Sequence, residues 1–346
     1  METIAAISTA MGSGGIGIIR MTGKDCFKVL KKIFKPKNKE LKDIKGYTMK
    51  YGYIIDPDNN EIIDEVLVSF FCEPKSYTME NMCEINSHGG IIIQKLILEV
   101  CLKNGAILAE PGEFTKRAFL NGRIDLSQAE SVIELINSKT DKEAKASIEQ
   151  LEGRISKNIN IIRKDLLNIL SDIEATIDYP EYDIEEVTNN RAMQELKNVL
   201  EKLNKLEESF KTGKILKEGI KTIIIGKPNA GKSSLLNLIL NADRAIVSDI
   251  AGTTRDTIEE YINIKGIPLK LIDTAGIRET NDIIEEIGVN KSINLINEAD
   301  LIISIFDNSK ELDEEDYKIL KMIENKFYPF YNNIQLQNTV NLEAVG

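Results

Sequence analysis

The chain has 346 residues, enough for two or three domains with their own cores. Its composition, 42% hydrophobic and 29% charged, is that of an ordinary soluble globular protein, and it has no unbroken apolar run of the kind that spans a membrane. A formal net charge of −11 argues against tight non-specific binding to nucleic acid and leaves room only for a local basic patch, so any work on nucleic acid is local, transient or shared with a partner.

The start of the chain, Met1 to Ala10, lacks the basic opening of a signal peptide. Cys26, Cys72, Cys83 and Cys101 are scattered and form no C-x-x-C pair. That pattern argues against a disulfide framework or a zinc site and fits a reducing cytoplasm.

Residues 1–118 read as one α+β unit. Ile4 to Ile7 is a short strand, Gly12 to Gly17 a glycine-rich turn, and Ile16 to Arg20 a second strand. Cys26, Phe27, Leu30 and Ile33 place a helix over 24–34. Met49–Ile55 and Glu65–Phe71 read as strands around an Asp56–Asn60 turn, with a further short strand over Cys83–Asn86. Gly89-Gly90 opens an apolar helix over 91–103. No long helix follows the 12–17 glycines, so a dinucleotide fingerprint is the weaker reading there. The only histidine, His88, reads as a structural hydrogen-bonding residue, with a proton shuttle at a turn as the alternative.

Residues 119–213 change character. Ser127-Gln128-Ala129-Glu130 reads as a capping box opening a helix with Val132, Ile133 and Ile136 on one face. From Asp141 to Ile177 apolar residues recur every three to four positions, which predicts one long amphipathic helix. Pro180 and the acidic 181–186 segment end it, and Met193 to Phe210 marks another. Two helices with one apolar stripe each do not close a bundle by themselves.

Residues 214–326 carry the strongest signal. Ile223-Ile224-Ile225 reads as a buried strand, followed by Gly226-Lys227-Pro228-Asn229-Ala230-Gly231-Lys232-Ser233 and then Ser234, Leu235 and Leu236 at the start of a helix. Strand, Gly-x-x-x-x-Gly-Lys-Ser and helix is the P-loop order. The two glycines let successive backbone N–H groups converge on a polyphosphate, and the helix adds its N-terminal partial charge. Lys232 reaches the outer phosphates and the Ser233 hydroxyl ligates Mg2+. Tyr261–Ile264 and Leu269–Ile272 read as a hairpin, leading directly into Asp273-Thr274-Ala275-Gly276, and Leu301–Asp307 is another buried strand. Asp273 suits a carboxylate near Mg2+, Gly276 a backbone contact to the γ-phosphate, and Thr254 the metal shell. Together these specify a GTPase-type switch, with an ATPase possible from geometry.

These motifs, with the loop Asp249-Ile250-Ala251-Gly252-Thr253-Thr254-Arg255-Asp256, resemble the Era/MnmE-type GTPases. Gly14-Gly15-Ile16-Gly17-Ile18-Ile19-Arg20, His88-Gly89-Gly90, the segment Pro111 to Arg123 and Asp125-Leu126-Ser127-Gln128-Ala129-Glu130 narrow the resemblance to the MnmE (TrmE) family of tRNA modification GTPases, over residues 1 to about 326. The resemblance implies a multidomain α/β architecture. It comprises an α+β domain at 1–118 like folate-binding domains, the first half of a helical domain at 119–213, an incomplete P-loop GTPase α/β domain at 214–326 and a divergent tail at 327–346.

It implies GTP held by residues 229–234, 248–254 and 273–276, with Mg2+ on Ser233 and Thr254. K+ beside the phosphates takes the place of an arginine finger, with oxygens from Asn229, Ser248, Ile250 and Thr253. Glu285 positions water, because Ile277 after the Asp-Thr-Ala-Gly motif cannot; read alone, Glu285 is a solvated helix residue beside Glu286. Arg278 reads equally as a support of the second switch or a surface charge. In the N-terminal domain the resemblance places 5-formyltetrahydrofolate against Arg20, Glu84 and Arg123. Arginines suit its carboxylates and ring oxygen, and Glu84 its paired ring N–H groups. Taken alone, Arg20 reads as a surface charge at a strand end.

The implied activity is K+-dependent GTP hydrolysis that drives installation of an aminomethyl or carboxymethylaminomethyl group on C5 of the tRNA wobble uridine. It implies a homodimer, joined by an MnmG-type flavoprotein in a heterotetramer, working on tRNA in the cytoplasm with no membrane. Two rival readings are a folate-binding dimerising fragment that does not turn over GTP, and an Era-type ribosome-assembly GTPase. Three family features have no counterpart in the sequence: Asn-Lys-x-Asp for the guanine base, the second half of the helical domain, and a terminal Cys-x-Gly-Lys.

Overall fold

A computed structural model describes residues 1–37, 41, 44–178, 185–227, 230–242, 260–272, 296–307, 309–323, 329–330 and 340–345. The chain divides into two compact units, Met1–Val132 and Ile133–Gly346.

The first unit is a mixed sheet with helices on one face. Its strands are β1 (Ile4–Ile7), β2 (Gly14–Thr22), β3 (Phe34–Pro36), β4 (Thr48–Ile55), β5 (Ile62–Phe71), β6 (Met82–Gly89) and β7 (Ile107–Leu108), in the order β3-β4-β5-β6-β2-β1-β7. All pairings are antiparallel except β1 with β7, which makes the unit α+β as its element order predicts. Helices α1 (Cys26–Ile33) and α2 (Ile91–Lys103) cover one face. Strand alternation sends Ile19, Met21, Val66, Val68, Phe70, Cys83 and Ile85 into a core shared with Val29, Leu30, Ile97 and Val100 of these helices. Arg20 and Glu84, the residues between, point to the other face. The 12–17 glycines are less of a turn than expected, since β2 already starts at Gly14, and β6 runs past Asn86 to place His88 within the strand. Gly14 and Gly89 pair there, and a Cβ on Gly89 would lie 2.4 Å from the Gly14 carbonyl oxygen. The edge strands β3 and β7 span three and two residues, and β3 ends in Pro36. Helix α3 (Glu113–Leu120) follows β7.

Helix α4 (Leu126–Ile136) begins earlier than the Ser127 capping box predicts. The cap is Asp125: the Gln128 N–H donates to Asp125 Oδ1 (2.9 Å), and the Asp125 N–H donates back to Gln128 Oε1 (3.0 Å). Both positions can accept at a helix start with a reciprocating side chain three residues on, Gln128 or Glu130; the structure uses Asp125 with Gln128.

The second unit corrects the single helix expected over 141–177. It is two helices, α5 (Asp141–Leu151) and α6 (Arg154–Asp178), separated at Gly153, whose φ of 80° is left-handed. The Gly153 N–H donates to the Gln150 carbonyl (2.9 Å) and closes α5. Apolar spacing carries across the break, which is why periodicity alone hides it. Helix α7 (Glu185–Glu218) packs on α6 through Ile162, Ile169, Ala192 and Val199. Lys202 and Asp165 bridge the pair (2.7 Å). Large apolar residues such as Ile177 and Phe210 stay exposed, as expected of two stripes that do not close a bundle. No helix among the described residues is long and apolar enough to cross a membrane.

A second sheet follows, in the order β12-β13-β11-β8-β10-β9, built from β8 (Ile220–Ile225), β9 (Glu260–Ile264), β10 (Ile267–Leu271), β11 (Leu301–Asp307), β12 (Pro329–Phe330) and β13 (Val340–Val345). Central β8 runs parallel to both β10 and β11. It is apolar on both faces: Ile224 packs with Leu236 of α8 (Lys232–Ala242), and Ile223 packs with Ile302 and with Ile323 of α9 (Glu314–Ile323). The β9–β10 hairpin turns at Lys265 and Gly266, φ 52° and 86°, as a two-residue hairpin turn requires. Strand β13 lies antiparallel against β11.

Candidate functional site

The face of the first sheet opposite its helices carries a cluster of charge and aromatic surface. Arg20 and Glu84 are direct cross-strand partners on β2 and β6. Arg20 Nε donates to Glu84 Oε1 (2.9 Å), and a second guanidinium nitrogen lies 2.7 Å from the same oxygen. The two side chains keep 28% and 19% of their exposure, so this is a half-buried, geometrically fixed pair and not a loose surface charge. The guanidinium also lies over the rings of Tyr77 (5.4 Å) and Phe114 (5.5 Å), while Arg123 lies over the same Tyr77 ring (4.7 Å). Arg20 and Arg123, more than 100 positions apart, therefore meet around one tyrosine, with Glu84 held against Arg20. Tyr77 Oη is 2.9 Å from Thr115 Oγ1, which fixes the ring against α3.

Buried Arg117 holds this corner together. Its Nη1 donates to the Glu2 carbonyl (2.7 Å) and to Glu80 Oε2 (3.1 Å), and its Nη2 donates to Glu113 Oε1 (2.8 Å). Thr22 and Thr78 share a buried hydrogen bond (2.6 Å), and Asn121 Nδ2 donates to the Thr78 carbonyl (2.6 Å). Sequence reading quotes the 111–123 segment and passes over Arg117, Tyr77 and Phe114. The aromatic and basic composition of 114–123 could have found Phe114 and Arg117, while nothing local marks Tyr77.

His88 faces solvent at 70% exposure, and Asp64 takes both its backbone N–H (2.8 Å) and its ring Nδ1 (2.7 Å). The hydrogen bond that the ring donates to Asp64 raises the His88 pKa above its ordinary value. This is the structural bond expected for His88, made within a strand.

In the second unit, β8 ends at Ile225 and α8 starts at Lys232. Gly226 crosses β11 closely: a Cβ there would lie 2.5 Å from the Ile305 carbonyl oxygen. Ala230 is buried and Gly231 has φ 101°, a left-handed turn directly before the helix. Lys232 bends back over the loop, donating to the Gly226 and Lys227 carbonyls (2.6 Å each). Burial lowers its pKa. Ser233 and Ser234 lie in the first turn of α8. The loop thus places a cation and the positive end of a helix around one point. Asn229, Ser248, Asp249, Ile250, Ala251, Gly252, Thr253, Thr254, Asp273, Thr274, Ala275, Gly276, Ile277, Arg278 and Glu285 lie outside the described residues.

With the geometry in view, the comparisons with known proteins are specific. Residues 3–123 match the family described as the GTP-binding protein TrmE N-terminus, and residues 126–336 match the MnmE helical domain. The tRNA modification GTPase MnmE of Acetivibrio thermocellus is 56% identical over 325 residues, covering 94% of this chain and 71% of that protein. The protein of the same name from Streptococcus gordonii is 50% identical over 343 residues, 99% of this chain and 74% of its own length. The one from Bacillus thuringiensis is 49% identical over 346 residues, covering 99% and 75%. Similarity of this depth, running through both units and over about three quarters of each relative, leaves one assignment: the chain belongs to the MnmE family of tRNA modification GTPases.

Proposed function

We propose that this chain is a GTP-hydrolysing switch in tRNA modification. The observation that carries the reading is the Lys232 ammonium turned over a glycine loop at the head of α8, in a chain of this family. Lys232 exchanges the two loop carbonyls for phosphate oxygens, and residues 229–234 supply converging N–H groups. Asn229, Ser248, Ile250 and Thr253 are assigned to K+, and Ser233 and Thr254 to Mg2+; the two cations supply positive charge beside the transferred phosphoryl group. Asp249, Ala251 and Gly252 belong to the same nucleotide-facing loop. Asp273, Thr274, Ala275 and Gly276 form the second switch, and Glu285 orients the attacking water.

The first unit is assigned to 5-formyltetrahydrofolate, which brings a one-carbon unit when bound. The residues present suit it: Tyr77 gathers the Arg20 and Arg123 guanidiniums, cations suited to its carboxylates and ring oxygen, and Glu84 offers a fixed carboxylate to ring N–H donors. The domain limits read from the sequence, 1–118, 119–213, 214–326 and a tail at 327–346, belong to this proposal. So do the homodimer, the MnmG-type flavoprotein partner, the aminomethyl or carboxymethylaminomethyl product on wobble uridine, and a cytoplasmic setting.

Affinity for GTP against ATP, with Mg2+ present and K+ or Na+ as the monovalent ion, tests the reading. GTP selectivity and hydrolysis that needs K+ support it. Equal affinity for both nucleotides, or a rate indifferent to the monovalent ion, removes the corresponding part.

A further inference from the structure

The first variable position of the phosphate loop, Lys227, does something the motif does not require. Its carbonyl accepts two hydrogen bonds, from Lys232 Nζ (2.6 Å) and from the Ala230 N–H (3.2 Å), so the curl of the loop closes on this residue. Its side chain turns away from the loop. Lys227 Nζ lies 2.5 Å from Asp313 Oδ2 and 2.6 Å from Asp316 Oδ2, at the start of α9.

Those two carboxylates are themselves fixed. The Asp313 N–H donates to Asp316 Oδ2 (3.1 Å), and the Asp316 N–H donates back to Asp313 Oδ1 (3.2 Å), with the Glu315 N–H on Asp313 Oδ1 as well (2.9 Å). The two aspartates cap α9 reciprocally; Asp313 grips Lys227 with its other oxygen, and Asp316 Oδ2 serves both contacts. Asp316 keeps 10% of its side-chain exposure and Lys227 21%. The pair therefore differs from an ordinary surface ion pair, whose geometry must be ordered at an entropic cost when it forms. Burial alone would push the Lys227 pKa down, yet the two aspartates raise it.

We propose that Lys227, clamped by Asp313 and Asp316, is a positioning residue for nucleotide binding: it sets the curl of the phosphate loop through its carbonyl, which accepts from the Ala230 N–H, and does not itself touch phosphate. The inference rests on the reading of this loop as a GTP site. A loop with glycines at 226 and 231 samples many conformations unless something outside it is fixed, and the capped start of α9 is that fixed point. An ammonium already held by two carboxylates is turned from the loop centre, which leaves Lys232 as the cation facing the ligand.

The test is titration of the purified chain with a fluorescent N-methylanthraniloyl-GDP, using Lys227→Met, Lys227→Arg, the paired Asp313→Asn with Asp316→Asn, and the triple variant. Thermal unfolding confirms that each is folded, and the near-isosteric Asp→Asn pair guards against a Lys227→Met variant that is not. Lys227→Met and the Asp→Asn pair each weaken binding about tenfold, and the triple variant is no worse than either, because the three side chains act as one unit. Lys227→Arg stays within about twofold, since a guanidinium can still bridge two carboxylates. A merely structural role would lower the unfolding temperature and leave the affinity of the folded fraction unchanged, and that result overturns the proposal. So does a triple variant about a hundredfold weaker, which would mean independent contributions. If the unaltered chain binds no guanine nucleotide, the reading of the loop fails with it; binding by the unaltered chain with indifferent variants sinks this proposal alone.

Discussion

Replacing Arg117 with methionine should unsettle the corner of the first unit that carries Tyr77 and Arg123. The methionine keeps much of the aliphatic stem and removes the guanidinium. Two carboxylates, Glu80 and Glu113, with 14% and 17% of their side-chain exposure, then lose their shared cation, and the Glu2 carbonyl loses its donor. Removing one partner of a buried ion pair costs about 3–5 kcal/mol. Both carboxylates keep some contact with water, so the lower end applies, about 3 kcal/mol, or more than a hundredfold in the local opening equilibrium. The pH dependence gives the diagnosis. Burial alone would raise the Glu113 pKa, but the Glu110 N–H and Arg117 hold it below the ordinary 4.5. A depressed carboxylate pKa contributes stability that is present above the ordinary value and lost as pH falls through the folded value. In the variant the Arg117 share of that depression is removed, and Glu113 is neutralised more readily on acidification. The gap between wild type and variant is therefore widest near pH 7 and narrows below about pH 4. Hydrogen exchange of peptides covering β1 and α3, at both pH values, reads this locally in a chain of two units. A gap under about 1 kcal/mol at pH 7 refutes the account, given that buried pairs cost several times more. A gap identical at both pH values refutes its electrostatic part.

Gly153→Ala forces an alanine into a left-handed conformation and should destabilise the α5–α6 junction by about 1 kcal/mol, read as a lower urea midpoint. Asp125→Ala removes the α4 cap and should cost about 1 kcal/mol, with faster exchange at the first amides of that helix. Gly226→Ala places a Cβ 2.5 Å from the Ile305 carbonyl oxygen, so nucleotide binding should be lost; retained affinity would show that β8 and β11 can separate. His88 titrates above its ordinary 6.5 because Asp64 favours the charged ring, so its stabilising contribution is full below that value and fades as pH rises through the folded pKa. Asp64→Asn should return the single histidine NMR titration toward the ordinary value. Among the thiols, buried Cys26, Cys83 and Cys101 should resist alkylation in the native state while half-buried Cys72 reacts; burial raises the Cys101 pKa strongly, and the hydrogen bond with Cys26 leads the rise at Cys83.

Elements bounded by their own chemistry were legible in the sequence. Helix α2 starts after Gly89-Gly90 and runs over 91–103 as read, and β11 is the apolar run Leu301–Asp307 unchanged. The phosphate loop announces itself because its chemistry demands fixed spacing within eight residues. What failed depended on a single backbone angle or on a choice between equivalent caps. Gly153 interrupts no hydrophobic period, and Asp125 and Ser127 are both good first residues of a helix. Arg20 and Glu84 were named only through resemblance. Their meeting depends on the register of β2 against β6, and nothing local in either strand announces a partner 64 positions away. Tyr77 and Arg117 sit in a loop and on a short helix whose roles appear only once the chain folds over them, and Lys227 is paired with a helix that starts more than 80 positions later.

The margins of the first sheet carry a last consequence. Strand β3 stops at a proline after three residues, and β7 offers two. A margin so brief, and lacking a donor where the proline sits, cannot recruit another chain's strand to lengthen the sheet. Neither margin of this sheet therefore favours growing sideways into a ribbon shared with another chain.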